Sequence, residues 1–176
     1  MSYIMVDVET DGPIPPDYSM VSFGAVVVEP GLSRTFYGKL RPISDAWLPN
    51  ALAVSGHSRE DVMRFEEPKV VMQRFADWLA ALHPAGGGRI FFIADNNGFD
   101  WQFVNFYFHR FLGQNPFGHS SQNLGSLYKG MVKDTWKTFK HLRKTAHTHD
   151  PVDDAKGNAE ALLHMKEEMG LKISWE

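Results

Sequence analysis

The order of its apolar segments is the feature that most constrains the fold of this chain, because strands come early and helices late. Residues 3–8 form a short apolar segment that ends at a turn, and residues 20–29 and 34–40 predict two more strands. These three segments predict an antiparallel meander. A run of three glycines at residues 86–88 precedes an apolar run at residues 89–94, which is typical of a central strand. This order favours an α/β or α+β fold with helices packed on one sheet.

Hydrophobic residues recur at helical spacing over residues 68–82, and the last helix of the chain has the clearest ends. Asp150 can cap that helix, Pro151 suits its first position and Gly170 follows its final turn. Other helices are expected over residues 45–54, 58–65 and 99–112, with two short ones between a loop-like stretch at 114–123 and the last helix. We expect most aromatic side chains of the 99–112 helix to lie in the core, although they are too many for all to be buried.

The amino-acid composition excludes several classes of protein. The 176 residues include no cysteine, so there is no disulfide framework, thiolate zinc site, iron–sulfur cluster or cysteine nucleophile. A formal net charge of -3 at pH 7 argues against binding nucleic acid through whole-molecule charge, so such a partner would need a local basic surface. The longest apolar runs, residues 25–28 and 90–94, are far shorter than the ~20 residues that span a bilayer. We expect one domain over residues 1–176, in the cytoplasm and without a membrane partner.

Asp7 and Glu9 lie two residues apart near the end of the first predicted strand. Side chains at positions i and i+2 point to the same side of a strand, so the two carboxylates repel each other. A divalent cation between them would relieve this repulsion, because Mg²⁺ and Mn²⁺ prefer oxygen ligands. The alternative is an exposed strand face that carries two solvated acids.

Two later segments carry the other candidate residues. Asp100 lies where a loop turns into a helix, so a helix cap is the alternative to a functional role. At the start of the last helix Asp150 and Asp153 have a structural role in satisfying free backbone N–H groups, and we therefore assign Asp154 to the site. His149 lies outside that helix, and its neutral form can accept a proton near pH 7.

The order Asp-x-Glu, then a central Asp, then His-x4-Asp resembles the DEDDh family of 3′-5′ exonucleases. Asp7 and Glu9 match the first motif, Asp100 the second, and His149 with Asp154 the third. Each motif is short, but their order and predicted positions agree over nearly the whole chain. Within the family the chain is most similar to the compact RNase T-like 3′ exoribonucleases of bacteria and phages.

This resemblance implies a fold, a reaction and a metal centre. The fold would be RNase H-like, an α/β architecture with a mixed five-stranded sheet flanked by helices. The reaction would be hydrolysis of single-stranded nucleic acid, RNA being favoured, from the 3′ end to nucleoside 5′-monophosphates. Two Mg²⁺ or Mn²⁺ ions would serve this reaction. Asp7, Glu9 and Asp154 would hold one ion, Asp7 and Asp100 would hold the other, and His149 would take a proton from the attacking water.

A local basic surface is predicted between Lys129 and Lys144. Six of the 18 lysine and arginine residues lie there, interrupted by one acid, Asp134. A basic strip beside aromatic residues suits a single strand of nucleic acid, whereas a solvated helix face is the alternative. The predicted substrate-binding residues are Thr10, Gly12, Lys140, Arg143, Lys144 and His147.

Several alternatives remain open from the sequence. A DNA-directed exonuclease is one, because the proline-rich loop at residues 13–16 departs from the family pattern and puts the substrate preference in doubt. A non-catalytic domain that binds nucleic acid is another. A zinc hydrolase is disfavoured, because Pro151 and Val152 occupy positions where the pattern His-x-His-x-Asp-His needs Asp and His. Similarity to RNase T and oligoribonuclease also implies a possible homodimer.

Overall fold

The computed structural model describes residues 1–83 and 88–174, so Gly86 and Gly87 of the predicted glycine break lie outside the described residues. The strands are β1 (Ser2–Thr10), β2 (Met20–Val27), β3 (Thr35–Lys39), β4 (Ile90–Ala94) and β5 (Ser121–Asn123). They form one sheet in the order β3-β2-β1-β4-β5. The pairs β1–β2 and β2–β3 are antiparallel, while β4 is parallel to β1 and β5 is parallel to β4. The predicted meander and the mixed five-stranded sheet are confirmed.

Helices cover both faces of this sheet. They are α1 (Pro49–Val54), α2 (Arg59–Val62), α3 (Pro68–Ala81), α4 (Asn97–Leu112), α5 (Leu124–Val132) and α6 (Pro151–Glu168), with a 3₁₀ turn at Lys140–Leu142. Ser58 and Asp61 form a capping box at α2, and Gly170 follows α6 with a positive φ of 76°. None of the helices in the described part of the chain has the length and apolar character needed to cross a membrane.

The two faces of β1 contact different helices. Ile4, Val6 and Val8 belong to a buried cluster with side chains of α3 and α4. Met5 lies on the opposite face and belongs to a second cluster with α5 and α6. Because side chains alternate along a strand, the odd-numbered residues that follow Met5 also point towards the α6 side of the sheet.

The structure differs from the sequence prediction in three places. The stretch at 114–123, which we predicted to be a loop, contains β5, whose residues are polar and half-buried and so carry no hydrophobic pattern. Helix α4 begins at Asn97 instead of residue 99. The helix predicted over 45–54 begins only at Pro49, because Leu48 is extended and donates its backbone N–H to Asp11 O.

The aromatic residues of α4 are divided between the core and the surface, as predicted. Phe103, Tyr107 and Phe108 are fully buried, whereas Trp101 and Phe106 are half-buried. The Tyr107 hydroxyl accepts a hydrogen bond of 2.9 Å from the backbone N–H of Met20. The inner face of α4 therefore fixes this helix, and Asp100 with it, against the start of β2.

Candidate active site

Asp7 and Glu9 lie on the α6 side of β1, where the N-terminal end of α6 approaches the sheet. Gly24 pairs with Asp7 across β1 and β2. A Cβ atom at Gly24 would lie 2.3 Å from the carbonyl carbon and oxygen of Pro151 and 2.4 Å from Val152 N. Glycine at position 24 therefore lets the first turn of α6 contact the strand beside Asp7.

Asp100 joins this end of the sheet from the start of α4. The parallel pairing of β1 with β4 ends at Met5 and Ile93, after which β4 leads into α4. The backbone N–H of Val8 therefore has no partner on β4 and donates instead to Asp100 Oδ1 at 3.1 Å. Asp100 is only 5% exposed. This hydrogen bond holds its carboxylate against β1.

Asp154 is brought to the site by the cap of α6. The Asp150 side chain accepts hydrogen bonds from the N–H groups of Val152 and Asp153 at 2.9 and 3.2 Å, as expected of a cap. Asp154 is one turn further on, with its N–H bonded to Asp150 O at 2.9 Å. Its carboxylate points towards β1 and the residue is 1% exposed.

The Asp154 carboxylate is held by four hydrogen bonds. Oδ1 accepts from Arg143 Nη2 at 2.8 Å, from the Thr148 N–H at 3.3 Å and contacts His147 Nδ1 at 2.7 Å. Oδ2 accepts from the His149 N–H at 2.9 Å. The loop before α6 thus wraps around this carboxylate and fixes its orientation.

Three of the predicted metal ligands meet at one point. One carboxylate oxygen from each of Asp7, Glu9 and Asp154 lies within 4.8 Å of the others. A set made only of carboxylate oxygens fits a hard divalent cation such as Mg²⁺ or Mn²⁺. One ring nitrogen from each of His147 and His149 forms a second such group with a carboxylate oxygen of Asp154.

Burial and mutual repulsion affect the protonation of these acids. Burial, followed by the charges of Asp100 and Glu9, raises the pKa of Asp7 well above its ordinary value. Burial raises the pKa of Glu9 to about 7, with repulsion from Asp154 as the next cause. It also raises the pKa of Asp100 to about 7, although the hydrogen bond from Val8 opposes this shift. These acids resist being ionised together because their charges repel one another. A bound cation would stabilise their ionised forms.

Asp154 is the exception among the four acids. Burial raises the pKa of its carboxyl group, but hydrogen bonds from Arg143 and His147 outweigh burial, and the net shift is downward. Asp154 is therefore ionised under conditions in which Glu9 and Asp100 still bind protons. A first cation would find at least one charged ligand already in position.

His149 lies at the mouth of this group. Its side chain is 49% exposed, and Nδ1 is 3.9 Å from Glu9 Oε1. The backbone is left-handed, with φ of 61°, which is uncommon for a residue other than glycine and is often found at functional sites. The ring centroid lies 4.3 Å from that of His147. The imidazole can therefore reach both solvent and the carboxylates, as a general base must.

The predicted substrate-binding residues divide into two groups. Thr10 is buried and donates to Gly12 O at 2.9 Å, and the Arg143 side chain is 6% exposed because it pairs with Asp154. Lys140, Lys144 and His147 are exposed, and Lys140 and His147 contact the carboxylates of Asp95 and Asp154. Gly12 is buried under the ring of Tyr18. Thr10, Gly12 and Arg143 thus have structural contacts, while the other three line a cavity of about 490 Å³ together with Arg143, Thr145 and Ala146.

Two contacts of this loop had no signal in the sequence. Glu160 of α6 accepts hydrogen bonds from the N–H groups of Lys144 and Thr145, both at 2.7 Å, and fixes the loop to the helix. Asp95 at the end of β4 forms an ion pair with Lys140. The two partners of each contact are at least 15 residues apart in the chain, so local spacing could not reveal either contact.

The sequence matches a known family over most of its length. Residues 4–162 match the family model RNase_T, which is described as Exonuclease. A protein of Escherichia coli, the 3′-5′ DNA exonuclease Cap18, is 36% identical over 167 residues, which cover 90% of this chain and 88% of that protein.

Solved structures share the fold at much lower identity. The nuclease domain of 3′hExo, a DEDDh family member bound to rAMP, has a TM-score of 0.77 and 16% identity, with 99% of this chain and 96% of that domain covered. E. coli exonuclease I in a zinc-bound complex with single-stranded DNA has a TM-score of 0.72 and 16% identity, and this chain covers 42% of its length and 96% of its own. The predicted RNase H-like exonuclease fold is confirmed.

Proposed function

The chain belongs to the exonuclease family, as a member of the DEDDh type, and we propose that it is a metal-dependent 3′-5′ exonuclease of single-stranded nucleic acid. The proposal depends on one observation: Asp7, Glu9 and Asp154 converge at the end of the sheet where Asp100 and His149 also lie. Hydrolysis there would release nucleoside 5′-monophosphates from a free 3′ end.

The four acids would hold the divalent cations. Asp7, Glu9 and Asp154 would bind one ion, while Asp7 and Asp100 would bind a second. When bound, Mg²⁺ or Mn²⁺ supplies water activation and neutralises charge on the phosphate. The backbone N–H of Val8 holds the Asp100 carboxylate through Oδ1, so Oδ2 remains available as a metal ligand.

His149 is proposed as the general base. Its ring is half-exposed and lies on the solvent side of Glu9, so it can accept a proton from the attacking water and release it to solvent. The hydrogen bond from its backbone N–H to Asp154 fixes the position of the histidine relative to a metal ligand. Proton transfer and metal binding are thereby coupled in space but assigned to different side chains.

DNA is the polymer that we propose as substrate, because the relative with 36% identity is a DNA exonuclease. RNA, which the sequence analysis favoured, is the second candidate, and the 3′hExo domain that shares the fold was bound to rAMP. Lys140 and Lys144 are exposed cations that line one cavity with His147, and they suit the phosphates of either polymer. Homodimer formation stays a prediction from resemblance, which the mass of the protein in solution would test.

The decisive assay uses matched DNA and RNA oligonucleotides of one sequence, single-stranded and duplex, with a label at the 5′ end. We expect stepwise shortening of the single strand with Mg²⁺ or Mn²⁺, loss of activity in a chelator, and no shortening when the 3′ end is blocked by phosphate. The variant Asp7→Asn is the control for a contaminating nuclease. Binding without release of monophosphates under any of these conditions would favour the non-catalytic alternative.

A further inference from the structure

Trp136 is the most exposed large hydrophobic residue in the described part of the chain. Its exposed fraction is 92%, whereas Val70, the next in rank, is 54% exposed. Burial of aromatic rings is a major source of stability, and an indole ring that remains in water forgoes this contribution. The side chain contributes no packing to the fold, so its role is to be sought outside the core.

The turn that carries Trp136 is well defined on both sides. Lys133 ends α5 in a left-handed conformation, with φ of 56°. The Asp134 side chain then accepts a hydrogen bond of 2.9 Å from the Trp136 N–H. Three residues later, Phe139 is 2% exposed and packs in the cluster of α5 and α6. The backbone is thus anchored on each side, while the indole ring points into solvent.

Residues 133–137, which carry this ring, include two lysines and one acid, Asp134. Lys133 and Lys137 flank the ring and are both exposed. Within residues 1–83 and 88–174, neither lysine forms an ion pair. The net charge of the whole chain is -3, whereas in this turn the two lysines outnumber the single acid. An exposed aromatic ring between two unpaired cations is complementary to bases and phosphates of a single strand.

A short segment connects the turn to the carboxylate centre. Lys140, four residues after Trp136, forms an ion pair with Asp95, whose charge contributes to raising the pKa values of Asp7 and Asp100. Four residues of extended chain span at most about 14 Å. One short strand of nucleic acid could therefore contact the indole ring and the acids at the same time.

We propose that Trp136 is a stacking platform for a base of the single strand upstream of its 3′ end, and that Lys133 and Lys137 contact the adjacent phosphates. This inference rests on the proposed exonuclease function and specifies where the rest of the substrate lies. A base stacks on an aromatic face whatever its identity, so the platform would hold a strand without selecting a sequence. A surface that binds another protein would be expected to present acids or a larger apolar area. The two lysines instead favour a polyanion.

Binding of a labelled oligonucleotide to full-length protein tests the platform. Measurements use the Asp7→Asn background, so that the strand is not degraded. Trp136→Ala should weaken binding of a 12-nucleotide strand about tenfold, whereas Trp136→Phe should retain most of it. Lys137→Gln should lower the steepness of the salt dependence by about 0.7 in log K against log salt. Val70→Ala and Lys69→Gln, on the other face of the sheet, are the matched controls.

Turnover gives a second measurement that a merely structural role would not change. In the otherwise natural chain, Trp136→Ala should reduce the preference for a long strand over a dinucleotide about tenfold, with an unchanged melting temperature. Unchanged binding and unchanged preference would overturn the platform. If Trp136→Ala changed the mass of the protein in solution but not its binding of the oligonucleotide, the platform would be overturned in favour of an interface between copies of the chain. Trp136-dependent binding by a protein without nuclease activity would support the platform and refute the proposed function.

Discussion

The Nη2 atom of Arg143 lies 2.8 Å from Asp154 Oδ1, and both side chains are almost completely buried. The guanidinium lies against α6 at Gly157, where a Cβ atom would be 2.4 Å from Nε and 2.8 Å from Cζ. Only a residue without a side chain leaves this space. Arg143 and Gly157 therefore act together to support Asp154, one of the proposed metal ligands. Hydrogen bonds to a ligating carboxylate fix its orientation.

Removing the arginine should leave the buried Asp154 carboxylate without its buried cationic partner. We expect Arg143→Ala to lower the free energy of unfolding by about 3–5 kcal/mol, the usual cost of removing one partner of a buried pair. Chemical denaturation in a chelator measures this change. Arg110→Ala, an exposed arginine of α4, should change the same quantity by less than about 0.5 kcal/mol. Equal effects of the two substitutions would contradict a special role for Arg143.

Filling the space at Gly157 should also be unfavourable. Alanine is the better helix former by about 1 kcal/mol, yet Gly157→Ala would force the guanidinium away from Asp154. We expect a net loss of about 1–3 kcal/mol in thermal or chemical unfolding. Gly130→Ala in α5 is the matched control, because a Cβ there meets nothing within 4 Å and should be neutral or stabilising. A stabilised Gly157→Ala would disprove this account of the contact.

The proposed roles of His149 and Asp7 can be separated by measuring turnover and metal affinity together. His149→Ala should lower kcat by about 10²- to 10⁴-fold, the usual contribution of a general base, with little change in Mn²⁺ affinity. Asp7→Asn should reduce both quantities, because Asp7 belongs to the carboxylate group that would bind the cation. Calorimetric titration of Mn²⁺ and single-turnover kinetics provide the two readouts. Similar losses of metal affinity in both variants would refute the division of roles.

The candidate acids were chosen from the sequence because each has a local signal. Asp7 and Glu9 lie at alternating positions near the end of an apolar strand, and Asp154 is the acid that remains once Asp150 and Asp153 are assigned to the helix start. The structure brings these three residues together, as their order along the chain implied. Strands β1 to β4 and the long helices were also predicted from local signals, namely apolar runs, hydrophobic periods and helix ends.

Contacts between distant segments could not be predicted in this way. Arg143 lies in a basic run, and nothing in that run distinguishes a buried guanidinium from an exposed lysine. Its environment depends on Gly157, 14 residues later, and on the path of the loop between them. Strand β5 was missed because three polar residues at a sheet edge carry no hydrophobic pattern and are held by backbone pairing with β4. The exposure of Trp136 could not be predicted either, because it is a property of the folded turn.

The acids should make the stability of the metal-free protein depend on pH. The pKa values of Glu9 and Asp100 are about 7 in the folded chain, above their ordinary values of 4.5 and 3.8. Between about pH 4.5 and pH 7 the folded chain therefore binds more protons than the unfolded chain, so these groups lower the free energy of unfolding as pH rises. The pKa of Asp154 is shifted downward. The stability that this carboxylate contributes is therefore lost only as pH falls below the ordinary pKa of an aspartate.

A divalent cation should replace those protons, so its stabilising effect should grow with pH. We expect the melting temperature in a chelator to fall from pH 5 to pH 8 and the increase caused by Mn²⁺ to be largest at pH 8. Differential scanning fluorimetry at four pH values, with and without Mn²⁺, measures both trends. Glu9→Gln should flatten the trend in the chelator and reduce the Mn²⁺ effect, because this neutral side chain neither releases a proton nor supplies a charged ligand. A Mn²⁺ effect that is equal at pH 5 and pH 8 would mean that the cation binds elsewhere.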